Sequence, residues 1–316
     1  MESMIPVSFR IGSLDVTTYA LCLTAALAAG LILLALQCRR KKLHGDTAFL
    51  LALVGLPLGL ICARLVYVLC RADLYSEIGL AETLRLWHGG FSLWGAMGGA
   101  ALAALIVARI TKQKPLALLD AMSAPAALII CLGRLAEYFN GEGIGLMVED
   151  PALQFFPLAV MNEWEEWYFA IFMAEALAAL IILIVLLVRR RPLGGDAWMF
   201  TLLFCTSSIL LESLRRDQFL RLIVFVRVNQ LAAALTLTAV LLALTVRWAR
   251  SGCKGGKAGV IVCWVVYLLM VGACIALEFA VEKSAYMSVE LCYSLMAACA
   301  LGMGVCGGLL FRRCKN

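Results

Sequence analysis

Hydrophobic residues in this chain are gathered in about nine long blocks that are separated by short polar or charged stretches. Most blocks are close to the length of about 20 residues that a helix needs to cross the apolar part of a bilayer. They are rich in leucine and alanine, and strict alternation of apolar and polar positions is weak, so helices are favoured over a transmembrane barrel. We expect membrane-spanning helices at residues 16–36, 47–70, 96–110, 116–132, 168–188, 197–211, 229–246, 259–281 and 287–311.

Lysine and arginine are concentrated in the stretches that follow alternate blocks. These basic stretches are residues 39–42, 109–114, 189–191, 247–250 and 312–315. Because basic loops remain on the cytoplasmic side, the pattern predicts a retained first helix, the N-terminus outside and the C-terminus inside. The arginines at 215, 216, 221 and 227 fall on the predicted outer side, where they would attract anionic lipid headgroups.

Composition supports a membrane protein and argues against several other classes. The chain is 63% hydrophobic and 15% charged, whereas soluble domains carry about 25% charged residues. The net charge of +6 comes from short clusters between apolar blocks, so no nucleic-acid partner is predicted. Most of the 13 cysteines lie inside apolar blocks, there is no CxxC motif and there are only two histidines, so we predict no metal site. The fold class that we predict is an all-α polytopic membrane protein.

The sequence GRLAEYFNGEGIG at residues 133–145 directly follows an apolar block. A charged residue within a membrane helix costs roughly 2.5–3.5 kcal/mol on insertion scales, so charges at that depth indicate function. Glycines allow the backbone to turn sharply and to approach a ligand. Irregular backbone at membrane depth is tolerated where it lines a protein cavity. We therefore predict the mouth of a polar pocket here, near one membrane surface.

Other polar residues are predicted to reach the same face of the membrane. They are Arg64 with Tyr67, the glycine-rich residues 88–99, and Glu212 with Arg215 and Arg216. Arg134 and Glu137 are three residues apart, as are Glu212 and Arg215, so each pair would share a face of a helix. Arginine matches a phosphate with two parallel hydrogen bonds, and nearby carboxylates can balance the charge or accept a proton. A phospholipid headgroup fits such a site.

Three of these features also have simpler explanations that the residues leave open. Arg134 and Glu137 can form a local ion pair that only lowers the cost of insertion. The glycines at 89–99 suit close helix packing as well as an approach to lipid. Arg64 and Tyr67 suit an interfacial anchor.

The stretch at residues 133–145 resembles the signature of the bacterial prolipoprotein diacylglyceryl transferases. It agrees with that signature at Gly133, Arg134, Asn140, Gly141, Glu142 and Gly145. Other segments resemble the family in the same order, namely Tyr19, residues 62–68, residues 89–95, Asp120, Glu212 with Arg215 and a shifted Asp217, and Gln230. The resemblance covers about residues 10–250. It implies a seven-helix core, which we assign to residues 1–250, with an additional transmembrane hairpin at residues 251–316.

The resemblance also implies an activity, the transfer of the diacylglyceryl group of phosphatidylglycerol to the lipobox cysteine thiol of a prolipoprotein signal peptide. The reaction would take place at the outer face of the bacterial plasma membrane and needs no cofactor. The implied catalytic residues are Arg134, which would hold the lipid phosphate, Glu142, which would shape the headgroup site, and Glu212, at a second opening. The implied substrate-binding residues are Tyr19, Arg64, Gly89, Gly90, Trp94, Gly95, Glu137, Asn140, Gly145, Arg215 and Arg216.

Four positions depart from the family pattern. Trp94 stands where many members have histidine, Glu137 where they have asparagine, Phe204 where they have tyrosine and Ser208 where they have arginine. A tryptophan cannot act as a base, and Ser208 removes a cation. Two hypotheses follow: an active, divergent transferase, or a non-catalytic paralogue that binds phospholipid or lipoprotein precursors. An unrelated transporter is disfavoured because no inverted repeat is visible.

Overall fold

The computed structural model describes residues 8–11, 14–86, 89–189, 191–216, 221–223, 226–250, 256–283 and 287–313. Its helices are α1 (Thr18–Arg40), α2 (Thr47–Cys70), α3 (Ala72–Ile78), α4 (Leu93–Ile110), α5 (Pro115–Ala136), α6 (Ile171–Val188), α7 (Gly195–Leu214), α8 (Val228–Arg250), α9 (Lys257–Lys283) and α10 (Val289–Arg313). Within these residues, nine helices are long and apolar enough to cross a membrane. The predicted all-α polytopic fold is therefore confirmed.

Several helices extend a few residues beyond the apolar blocks that predicted them. Helix α1 continues through Arg39 and Arg40, and α10 through Arg312 and Arg313. Cations in the last turn interact favourably with the helix dipole, which explains why the helix continues past the apolar block. Helix α6 instead begins three residues later than predicted, at Ile171, because the preceding residues form a β-strand.

Short β-strands connect the helices at one end of the bundle. The strands are β1 (Ser8–Ile11), β2 (Leu14–Thr17), β3 (Ile144–Met147), β4 (Ala159–Met161), β5 (Trp167–Ala170), β6 (Arg221–Ile223) and β7 (Val226–Arg227). Strand β5 lies between β3 and β4 in an antiparallel sheet, while β1–β2 and β6–β7 form hairpins. The sequence predicted only an interfacial segment between α5 and α6, and neither this sheet nor α3 was foreseen.

The bundle has two distinct ends. The end at which α5 terminates at Ala136 carries the glycine-rich motif and the strands, and we call it the signature end. The opposite end, where α1 terminates at Arg40 and α7 starts at Gly195, we call the basic end. The topology prediction places the signature end outside the cell, and this orientation remains a prediction.

Helix α5 is central in the bundle, and α1, α4, α6 and α7 all pack against it. Its buried residues are mostly small, such as Ala121, Ala124 and Ala127, so the neighbouring helices approach closely. Helices α2 and α4 form a tight pair in the same way, because a Cβ at Gly99 would lie 2.5 Å from the Leu58 carbonyl oxygen. Helix α10 packs on α7 and α8, so the C-terminal hairpin shares a hydrophobic core with them.

Candidate active site

Two arginines and two glutamates form a closed ring of ion pairs at the signature end. Arg134 lies in the last turn of α5, Glu137 directly after it, Glu175 in α6 and Arg215 directly after α7. Arg134 pairs with Glu137, and its Nε lies 3.3 Å from Glu175 Oε2. Arg215 Nη1 lies 2.9 Å from Glu175 Oε2, and its Nη2 lies 3.0 Å from Glu137 Oε2. We call these residues the four-residue ring.

The ring is buried and its formal charges balance. The side chain of Arg215 is 0% exposed, those of Glu175 and Glu137 are 8% and 9% exposed, and that of Arg134 is 15% exposed. Buried charges are tolerated when each has an oppositely charged, hydrogen-bonded partner. Each residue of the ring has two such partners, and removing any one of them leaves a buried charge without full compensation. Arg134 is the most accessible member to a ligand.

Two glycines allow the chain to turn beneath the ring. Gly141 and Gly143 adopt φ angles of +70° and +78°, which disfavour other residues. A Cβ at Gly143 would lie 2.6 Å from the Phe172 Cβ and 2.7 Å from Glu137 Oε2. The Gly143 carbonyl accepts a hydrogen bond from the Phe172 amide at 2.9 Å. The glycines of the motif therefore bring the backbone against the ring and against the start of α6.

Glu212 lies in the last turn of α7 and makes hydrogen bonds with residues around the start of α8. It is 2% exposed, and its Oε1 accepts a hydrogen bond from Asn229 Nδ2 at 3.1 Å. Its backbone carbonyl accepts from the Arg227 guanidinium. Burial lowers the pKa of Arg227, while the nearby carboxylates of Glu212 and Glu278 act in the opposite direction. Glu212 thus connects the end of α7 to the start of α8.

The sequence analysis expected Glu212 and Arg215 to share a face of a helix, but the helix ends before Arg215. Helix α7 ends at Leu214, and Arg215 has extended backbone with ψ 143°. The Arg215 side chain enters the four-residue ring, where it pairs with Glu137 and Glu175. The amide of Arg216 donates to the Ile144 carbonyl at 2.8 Å, which ties the chain after α7 to strand β3. Asp217 lies outside the described residues.

Four other predicted site residues surround the ring. Tyr19 of α1 lies within electrostatic range of Arg134, Glu137, Glu142 and Arg215. Glu142 is exposed, and its amide donates to the Glu137 carbonyl at 3.2 Å. The remaining two are Asn140, at the end of the turn that contains Glu137, and Gly145, where a Cβ would lie 3.2 Å from the Leu214 carbonyl oxygen.

Arg64 stabilises the loop that connects α3 to α4. It is 6% exposed and donates to the backbone carbonyls of Thr83 at 3.0 Å and Glu82 at 2.8 Å. It also donates to the carbonyls of Gly89 and Gly90. Both glycines have positive φ angles, +74° and +81°. The structure thus brings Arg64 together with Gly89 and Gly90 as the interior of one loop.

Trp94 and Gly95 lie at the start of α4. Gly95 is buried against the backbone of Cys62, which explains why this position has no side chain. The Trp94 ring packs against Phe204 of α7, with ring centroids 5.6 Å apart. Two of the four departures from the family pattern therefore contact each other and form an apolar aromatic pair, and Ser208 follows one turn later on α7.

Glu175 is the ring residue that the sequence analysis did not assign to the site. The signal was present, because Glu175 is the only charged residue in the 18 residues of α6. A lone carboxylate in an apolar membrane helix indicates a functional or paired position. Its partners come from α5 and from the end of α7, and sequence spacing does not reveal them.

Residues 6–249 match the family described as prolipoprotein diacylglyceryl transferase. Among curated relatives, the phosphatidylglycerol–prolipoprotein diacylglyceryl transferase of Listeria innocua is 26% identical over 228 residues, which cover 70% of this chain and 82% of the relative. The transferase of the same name from Ligilactobacillus salivarius is 28% identical over 241 residues, covering 70% and 89%. That of Streptococcus equi subsp. zooepidemicus is 26% identical over 238 residues, covering 73% and 90%.

The family match spans α1 to α8, ending one residue short of the last residue of α8, and includes every member of the four-residue ring. It also agrees with the resemblance that the motif at residues 133–145 carries. The chain belongs to the prolipoprotein diacylglyceryl transferase family.

Proposed function

We propose that this protein transfers the diacylglyceryl group of phosphatidylglycerol to the cysteine thiol of prolipoproteins in the bacterial plasma membrane. The observation that carries the proposal is Arg134, a partly accessible cation held between two carboxylates in the part of the chain that the family model matches. Its guanidinium has the geometry to bind a phosphate oxygen pair. The names of the relatives supply the two substrates, phosphatidylglycerol and a prolipoprotein.

The reaction breaks one bond and forms another. The thiolate sulfur attacks the glyceryl carbon that carries the phosphate, and a thioether bond forms. The carbon–oxygen bond to the phosphate breaks, and glycerol phosphate leaves with the electron pair. A cation on the phosphate stabilises the negative charge that develops on the leaving group. In this scheme Arg134 supplies that cation.

The four-residue ring also offers an acceptor for the thiol proton. To bind the phosphate, Arg134 exchanges a carboxylate of Glu137 or Glu175 for a phosphate oxygen. The released carboxylate then loses part of its positive surroundings and becomes a better proton acceptor. Arg215 stays paired with both glutamates and keeps them in place. Glu137 therefore takes part in the chemistry in this scheme, although other members of the family have asparagine there.

The remaining predicted residues receive roles by their position. Glu142 and Asn140 would contact the glycerol headgroup at the exposed rim, and Tyr19 would close the pocket from α1. Gly145 would keep the pocket floor open. Glu212 would line an opening between α7 and α8. The signal peptide with its lipobox would enter from the membrane, and Trp94, Gly95 and the loop held by Arg64, Gly89 and Gly90 would form part of its path.

The non-catalytic paralogue is the weaker hypothesis. Its support is the contact between Trp94 and Phe204, an apolar pair that contains no base for proton transfer. The ring supplies two carboxylates that would serve this purpose, so the lack of a base at Trp94 and Phe204 does not remove the proposed chemistry. We also propose that residues 1–250 form the catalytic core and that residues 251–316 are an accessory hairpin.

Complementation tests the function. The full chain is expressed in a bacterium depleted of its own transferase, and the mass of a reporter lipoprotein is measured. We expect a diacylglyceryl mass increase on the lipobox cysteine that disappears with Arg134→Ala. Arg109→Ala is the matched control, because Arg109 also lies in the last turn of a spanning helix but at the basic end, and it should leave lipidation intact. Absence of lipidation by well-expressed, membrane-inserted wild-type protein would favour the paralogue.

A further inference from the structure

A tyrosine of the C-terminal hairpin contacts the signature end of the core. Tyr293, near the start of α10, accepts a hydrogen bond from Arg216 Nη2 at 2.7 Å. Its hydroxyl donates to the Ser213 carbonyl, with 3.3 Å between the oxygens. The family match ends at residue 249, so Tyr293 comes from outside it. The hairpin thus reaches the residue that directly follows Arg215 of the four-residue ring.

The hairpin is fixed on the core by polar as well as apolar contacts. The Tyr267 and Thr238 hydroxyls lie 2.7 Å apart, and Trp264 Nε1 donates to Thr245 Oγ1 at 3.0 Å. Helix α10 approaches α7 at Gly304, where a Cβ would lie 3.0 Å from Thr206 Oγ1. These contacts join α9 to α8 and α10 to α7, so the position of Tyr293 is set by the packing of the hairpin.

The partner that Tyr293 gives Arg216 differs from the partners of the ring arginines. Arg134 and Arg215 are paired with carboxylates, which cancel their charge. The Tyr293 phenol is neutral, so its hydrogen bond orients the Arg216 guanidinium without cancelling the positive charge. Arg216 is exposed and its backbone is held by strand β3. An oriented, exposed cation that directly follows Arg215 in the chain is suited to bind an anionic oxygen.

We propose that Tyr293 is a positioning residue that holds Arg216 toward the phosphodiester of the lipid donor as the headgroup enters the pocket. This inference rests on the proposed function and deepens it, because it assigns the C-terminal hairpin a part in recognition of the lipid headgroup. Arg134 would bind the phosphate at the reacting position, and Arg216 would bind it at the rim. The hairpin then improves capture of phosphatidylglycerol and leaves the chemical step unchanged.

Steady-state kinetics of the purified full chain, with phosphatidylglycerol varied and the lipobox substrate saturating, tests this role. We expect Tyr293→Phe to raise KM for phosphatidylglycerol about three- to tenfold, since a hydrogen bond to a charged group is lost, with kcat within about twofold of wild type. Tyr267→Phe is the matched control: it removes a hydroxyl from the same hairpin, and Thr238 keeps its own bond to the Ala234 carbonyl. Its KM should equal that of wild type.

A double-mutant cycle separates positioning from general stability. Arg216→Ala should raise KM as well, and adding Tyr293→Phe to it should have no further effect. Equal KM values for the two tyrosine variants, or additive effects in the cycle, would overturn the proposal. If wild type shows no transfer, the proposed function fails. Binding of the same variants to phosphatidylglycerol vesicles then tests the positioning role of Tyr293. Weaker binding by Tyr293→Phe than by Tyr267→Phe supports the positioning role, and equal binding overturns it.

Discussion

Helix α7 has a cluster of charged side chains at each end, and the two clusters use their charges differently. At the signature end lies the four-residue ring. At the basic end lies a group that we call the basic-end cluster, formed by Lys41, Asp120, Arg191 and Asp196. The ring pairs side chains with one another, whereas the basic-end cluster also binds backbone groups.

The basic-end cluster secures the start of α7. Asp120 of α5 accepts hydrogen bonds from the Gly194 amide at 2.6 Å and the Ala197 amide at 2.8 Å. Gly194 is the N-cap residue of α7 and Ala197 lies in its first turn, where backbone amides have no partners inside the helix. Arg191 donates to the Val185 carbonyl at 2.9 Å at the end of α6. Charge at this end therefore replaces missing backbone partners.

The difference between the two clusters indicates which of them a ligand can enter. A phosphate offers the same kind of oxygen as a carboxylate, so it can take the place of a glutamate at Arg134 while the ring remains largely paired. Both Asp120 carboxylate oxygens already accept hydrogen bonds from backbone amides at the start of α7, so its charge serves the fold. We therefore assign chemistry to the ring and helix fixation to the basic-end cluster.

The largest effect is expected from Arg215→Met, which would break the ring at its most buried member. Glu137 and Glu175 would then share one arginine, and leaving a buried charge uncompensated costs about 3–5 kcal/mol. We expect loss of lipidation together with a marked fall in melting temperature in detergent. Arg215→Lys keeps the charge but not the two-pronged geometry, and should recover part of the stability. A fully active Arg215→Met protein would show that the ring is dispensable.

The helices were predictable from sequence because their signal is local. Apolar blocks gave the spanning helices to within a few residues, and the motif at residues 133–145 located Arg134 and Glu137. The ring as a whole was not predictable, since Glu175 and Arg215 are brought together from α6 and the end of α7. One local detail, the end of α7 at Leu214, changes the backbone direction at Arg215, and sequence spacing does not reveal it.

Tertiary contacts also explain the other gaps. The interaction of Tyr293 with Arg216 joins residues 77 positions apart, and nothing in the spacing of either residue indicates it. The sheet of β3, β4 and β5 is made of strands of only three or four residues, which are too short to give a period-two pattern. The presence of the sheet does not change the prediction that this segment lies at the membrane interface.

Asp120→Asn should have an intermediate effect and sharpens the contrast between the two ends. The amide side chain has one acceptor oxygen in place of two, so one of the Gly194 and Ala197 amides would lose its partner. Loss of a buried hydrogen bond to a charged group costs roughly 1.5–3 kcal/mol. We expect a lower melting temperature but unchanged transfer activity per folded molecule. A loss of activity in protein that remains folded would contradict a purely structural role for the basic-end cluster.

The smallest effect is expected from Lys41→Met, and comparison with Arg191→Met explains why. Lys41 Nζ lies 2.5 Å from Asp196 Oδ2, but the lysine side chain is 22% exposed and Asp196 keeps Arg191, whose Nη1 is 3.1 Å from Oδ1. Ion pairs with access to water contribute about 0–1 kcal/mol, and added salt weakens them further. The Arg191 side chain is 6% exposed and also binds the Val185 carbonyl. Its removal therefore takes a partner from both the Asp196 carboxylate and the Val185 carbonyl. Melting temperatures in low and high salt should therefore show a small, salt-sensitive change for Lys41→Met and a larger, salt-insensitive one for Arg191→Met. The reverse order would mean that exposure does not set the strength of these pairs.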